Sequence, residues 1–155
     1  MTDSTQKDLH RQFAVELFNL TWDLLDKPDR SQIEDDHMIH AAHASRYHWE
    51  IAGEAVNLAR GEWQISRVYA TLQRSEPACY HAERCLNITL ANRLKDFDLA
   101  FAYEAMARAH HLAGNRAECQ RFFRLAQSAG EQIQDAGDRD YFFSELNTIQ
   151  PATGD

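Results

Sequence analysis

What most constrains this chain is a recurrence of close-contact residues at a fixed spacing. Ser45, Ala82 and Cys119 stand 37 residues apart in turn. Each is followed at the same distances by an apolar set: Trp49, Ile51 and Ala52; Leu86, Ile88 and Thr89; Phe123, Leu125 and Ala126. A period of this size marks stacked supersecondary units, each too small to bury its apolar face alone and therefore packed against its neighbours. With 155 residues the chain can enclose one core without crosslinks. The expectation is a single helical-repeat domain over residues 1–150, with 151–155 a disordered tail.

Apart from Gly61, the six glycines and three prolines fall at or between the ends of the periodic segments, and no stretch shows the alternation of a half-buried strand. The spacing predicts seven helices. The first runs from Thr5 to Asp26, buries Phe13, Leu17, Leu20 and Leu24, and ends at Lys27-Pro28-Asp29. The second carries Met38, Ala42, Ser45, Trp49 and Ala52 on one face and is closed by Gly53. The third, over residues 55–74, turns Leu58, Ile65, Tyr69 and Leu72 inward, with Arg60, Gln64, Arg67, Thr71 and Arg74 on another face. Pro77 opens the fourth, which reaches Arg93; Asp96 or Asp98 caps the fifth, which ends near Gly114-Asn115. The sixth spans 115–130, and Asp138 caps a seventh whose apolar edge is Phe142, Leu146 and Ile149. The expected fold is all-α: a right-handed stack of three antiparallel hairpins with a C-terminal capping helix.

Charge removes several classes of partner. Lys plus Arg number 16 against 24 Asp plus Glu, a net charge of −8, which opposes attraction to nucleic acid or to an anionic membrane. Cys79, Cys85 and Cys119 are an odd count inside helical patterns and read as reduced, small core residues. The opening MTDSTQKD has no apolar run, and no window is apolar enough for a membrane span. A soluble, cytoplasmic protein is expected. Neither a phosphate-binding loop nor a dinucleotide fingerprint occurs, and no cofactor is expected.

Two groups of residues have the types that catalysis or metal binding uses. Asp36, His40, His43 and Tyr47 share a helical face, so two imidazoles and a carboxylate can converge on a metal ion. That is the basis of one alternative reading, a metal-dependent enzyme or small-molecule binder, although no His-Glu-x2-His motif accompanies it. His81 and Cys85 share a face at i,i+4, but no orienting third residue or oxyanion donor goes with them. Trp22, Trp49 and Trp63 read as packing residues, since no basic surplus suggests a stacking platform.

From Phe101 to Ala126 the chain resembles a tetratricopeptide repeat: Tyr103-x2-Met106-Ala107-x2-His110, the turn Gly114-Asn115, then Cys119-x3-Phe123 and Ala126. A looser copy precedes it in Ser66, Tyr69, Ala70, Gln73, Ala82, Leu86 and Thr89. The period exceeds the family's usual length of about 34, Ala70 and Ala107 replace the family's glycine, and Glu131 stands where the closing proline belongs. The resemblance implies a concave groove lined by the first helix of each hairpin, and a protein or peptide in it. Carried onto this chain, the groove positions are Gln64, Arg67, Thr71, Arg74, Phe101, Glu104, Arg108 and His111. Arginine forks bind carboxylates bidentately, so the implied function is a non-catalytic adaptor for an acidic segment or a C-terminal carboxylate. As free groove residues, Arg67 and Arg108 would tolerate charge reversal; as a solvated face they would pair instead, for example Glu104 with Arg108 at i,i+4. A further alternative is a structural subunit that dimerises through its first or last helix.

Overall fold

A computed structural model describes residues 2–150, so the expected tail at 151–155 lies outside the described residues. Among the described residues there are seven helices and no strand: α1 (Asp3–Asp26), α2 (Gln32–Ala52), α3 (Ala55–Thr71), α4 (Ser75–Ala91), α5 (Phe97–Leu112), α6 (Arg116–Glu131) and α7 (Ala136–Leu146). None of these is long and apolar enough to cross a membrane.

Most of the helices begin where side chains can satisfy free N–H groups. Ser31 and Glu34 form a reciprocal capping box on α2, and Asn115 accepts from Glu118 N at the start of α6. The cap of α7 is Asp135 rather than the expected Asp138, which instead donates its own backbone N–H to Asp135 Oδ1 at 2.8 Å. Asp96 caps α5, as expected, in a left-handed backbone conformation (φ 58°). Its two oxygens reach in different directions: Oδ1 accepts from Phe97 N (2.8 Å) and Oδ2 from Gln134 N (3.0 Å) in the loop before α7.

Three helices end in a residue with positive φ: Gln73 after α3, Arg93 after α4 and Gly114 after α5. In each case the next residue's N–H reaches back five positions, to Tyr69, Thr89 and His110, closing the free carbonyls of the last turn. Only Gly114 is the residue that ordinarily marks such an end, having no Cβ to resist a positive φ, so α3 and α4 stop earlier than their sequences suggest.

Successive helices pack pairwise, α1 on α2, α3 on α4 and α5 on α6, and each pair meets the next through α2 on α3, α4 on α5 and α6 on α7. The odd-numbered helices also touch in succession, α1 on α3, α3 on α5 and α5 on α7, whereas α2, α4 and α6 do not meet one another. The recurring small residues sit at the crossings. Ser45, Ala82 and Cys119 are all buried, and Ser45 Oγ donates to Ala14 O at 2.7 Å, so even a polar residue is satisfied there. At the end of α6 a Cβ on Gly130 would overlap the ring of Phe142, the largest fully buried side chain of α7.

Two expected faces shift. Phe13 is 45% exposed and α1 is buried at Ala14 and Thr21 instead, because this terminal helix has a full neighbour only in α2. Thr21 tolerates burial by donating to Leu17 O at 2.8 Å. α3 touches four other helices, so burial extends round most of it and takes in Gln64 and Ser66 as well as Ile65 and Val68.

Candidate functional site

The row of odd-numbered helices carries two recesses. The larger, of about 430 Å³, is an aromatic cleft to which all four contribute: Phe18 and Trp22 from α1, Trp63 from α3, Phe97 and Phe101 from α5, and Tyr141 from α7. Its rings meet at angles typical of aromatic packing. Trp22 and Trp63 lie 5.4 Å apart, Trp63 and Phe101 5.4 Å edge to face, and Phe97 and Phe101 4.5 Å. Paired spacing explains the supply of rings, since Phe18 and Trp22, like Phe97 and Phe101, are one helical turn apart. Three charged residues also line the cleft. Arg60 grips Asp98 with two parallel bonds, Nε to Oδ1 at 2.8 Å and Nη2 to Oδ2 at 3.1 Å, which holds the guanidinium above its ordinary pKa. The exposed Asp138 has no side-chain partner.

The second recess, of about 350 Å³, gathers Arg67 and Thr71 from α3 with Arg108 and His111 from α5, alongside Thr148. Here the charges are engaged within the chain. Glu104, 1% exposed, accepts Arg108 Nε on Oε1 at 2.6 Å, and Arg67 Nη1 stands 3.6 Å from the same oxygen. Arg67 Nη2 donates to Glu145 Oε2 at 2.6 Å, while Arg108 Nη2 donates to Glu145 O and to Thr148 Oγ1. The other carboxylate oxygen, Glu104 Oε2, accepts the indole N–H of Trp63 at 3.3 Å and so joins the two recesses.

Of the eight groove positions expected from the sequence, Arg67, Thr71, Arg108 and His111 therefore come together, and Phe101 is a wall of the neighbouring cleft. Glu104 lies beneath both recesses. Gln64 is fully buried against α1, with Nε2 on Phe18 O at 2.9 Å and Oε1 unpartnered, and the exposed Arg74 lines neither recess. The reading missed Phe18, Trp22, Trp63, Phe97, Tyr141 and Asp138. The available signal was the repeated turn spacing of aromatics on the same helices that carry the groove positions.

The histidine-rich helix makes a different arrangement from a metal cluster. Asp36 accepts from Gln32 at 3.0 Å, whereas His43 Nε2 pairs with Tyr69 OH on α3 at 2.9 Å. Beside it, Glu62 Oε2 pairs with His81 Nδ1 at 2.6 Å and Oε1 accepts from Arg46 Nε at 3.2 Å. Among the described residues no group of three or more His, Cys, Asp or Glu is placed to hold a metal ion. Burial, then the charge of His81, holds His43 below the usual imidazole range; burial raises the Glu62 carboxyl, but His81 and Arg46 outweigh it and keep the group low. Where α1 meets α2, His10 and His48 share a 2.8 Å Nδ1 contact, and burial followed by His10 holds His48 low.

All three cysteines are free thiols. Burial pushes Cys85 up to about 12, and His81 is turned to Glu62, so these two residues do not make an activated nucleophile. No protein-family model, no curated protein and no solved structure matches this chain.

Proposed function

We propose that this chain is a non-catalytic binding module that holds a segment of a partner protein along α1, α3, α5 and α7. In this reading the three helix pairs form a right-handed, tetratricopeptide-like stack, and α7 closes its end. The succession of contacts along the odd-numbered helices, without its counterpart among the even-numbered ones, supports a curve with the odd row inside. The observation that carries the reading is the aromatic cleft: about 430 Å³, with rings from four separate helices, and of a size to enclose an anchoring side chain.

The arginine recess supplies the second contact. An acidic segment or C-terminal carboxylate enters it by displacing the Glu145 carboxylate from its single bond to Arg67 Nη2 and engaging the guanidinium in its place. A peptide library displayed on phage and selected on the wild-type protein tests the module. Enriched peptides that no longer bind a folded Trp22→Ala, Tyr141→Ala double variant support it. Failure to enrich, or binding indifferent to those two changes, overturns it.

Self-association is a second reading, favoured by Leu9 and Phe13, which are exposed one turn apart on α1 at 38% and 45%. Sedimentation equilibrium separates the two. A dimer converted to monomer by Phe13→Glu supports self-association, and a monomeric wild type ends it.

A further inference from the structure

We infer that the aromatic cleft takes a basic side chain, an arginine or lysine of the partner segment, between its rings and Asp138. The inference rests on the binding-module reading and names the chemistry of the residue anchored there.

Three features of the cleft select a cation. First, its walls are aromatic rings, whose faces are electron-rich. The N–H of Trp63 is taken up by Glu104, so this ring brings carbon rather than a free donor to the cleft. A cation within about 6 Å of such faces is attracted by the ring quadrupole, while its alkyl stem gains from burial against the same carbon. Second, the charges that line the cleft do not balance. Arg60 is the lining cation, and its Nε and Nη2 are both held by Asp98, so the two form a neutral pair at one side. Asp138 remains as a carboxylate without a side-chain partner. Third, the chain as a whole is negative, by 8 charges, which favours the approach of a basic segment. An anionic side chain would meet Asp138 with no unpaired guanidinium to answer it.

Three blocked amino acids serve as probes: N-acetyl-arginine methylamide, its neutral isostere N-acetyl-citrulline methylamide, and N-acetyl-glutamate methylamide. Binding is read from the indole N–H resonances of Trp22 and Trp63 in 1H–15N spectra. The arginine probe is expected to shift them saturably and to bind about fivefold more tightly than citrulline, a gap that narrows as salt is added. Asp138→Asn should bring arginine down to the citrulline level. This residue enters the α7 cap through its backbone N–H, so the substitution leaves the cap in place. Equal binding of arginine and citrulline, tighter binding of glutamate, or no effect of Asp138→Asn would overturn the inference while leaving the cleft a binding site. If none of the probes moves either indole, the inference fails, and the library selection then decides separately whether the module reading fails with it.

Discussion

The aromatic cleft and the arginine recess are built on the same two central helices, yet they treat charge in opposite ways. In the recess every guanidinium faces a carboxylate of the chain itself, and the carboxylate at the centre, Glu104, is almost wholly buried. In the cleft the single guanidinium is paired at one side and a carboxylate is left over. The difference separates structural charge from available charge. Arginines that look like a free ligand site in the sequence hold α3, α5 and α7 together and can meet a ligand only in exchange for Glu145, while the group available without any exchange is an aspartate at the first turn of α7.

The most severe challenge to this contrast is charge reversal in the recess. The sequence suggests that Arg67→Glu with Arg108→Glu would leave stability unchanged. The geometry reverses that expectation, because both arginines neutralise a buried carboxylate. The double variant should lose about 5 kcal/mol or more in urea unfolding, enough to unfold many domains of this size. Glu104→Gln comes next, with an expected loss of about 3 kcal/mol, since it strips two part-buried guanidiniums of their shared partner. A value near zero by chemical denaturation would show that the recess charges are solvated after all.

Acid probes a third place, away from both recesses. His43 and His48 have folded pKa values below the ordinary 6.5, so between the folded and unfolded values the unfolded chain binds more protons. Their contribution is present above pH 6.5 and is lost as pH falls through that window; the low Glu62 carboxyl adds a further loss below its ordinary 4.5. Thermal melts from pH 7.5 to 3 should therefore fall in two stages. His43→Gln should flatten the upper one, while recess variants displace the whole curve without changing its shape. The smallest effect is expected at the cleft: Asp138→Asn should change stability by less than about 0.5 kcal/mol, as an exposed residue with no side-chain partner.

The fold was more legible than the site, for reasons visible in particular residues. Ser45, Ala82 and Cys119 announce themselves because a helix crossing admits only small side chains, and a geometric demand of that kind repeats with the structure. Phe13 misled because apolar periodicity says which face is apolar, not whether a neighbour exists to cover it. The ends of α3 and α4 were misplaced because Gln73 and Arg93 adopt positive φ without glycine, held by backbone bonds that leave no mark on composition. Cleft aromatics have the same turn spacing as core aromatics: Trp63 does pack against the core and Trp22 against Trp63, as expected, and spacing gives no sign that both also line a cleft. Arg67 and Arg108 lie on the expected face, but whether an arginine is free depends on Glu145, 78 positions beyond Arg67.

Glu104 divides its two oxygens between an indole and a pair of guanidiniums, which makes it a lever arm with a foot in each hollow. Changes made on either side of it should not add. In a double-mutant cycle, Trp63→Phe and Arg108→Lys should deviate from the sum of the single effects by about 0.5 kcal/mol or more, whereas Asp138→Asn with Arg108→Lys should be additive. Whatever settles among the rings would thereby be felt at the arginines through one hydrogen-bonded side chain.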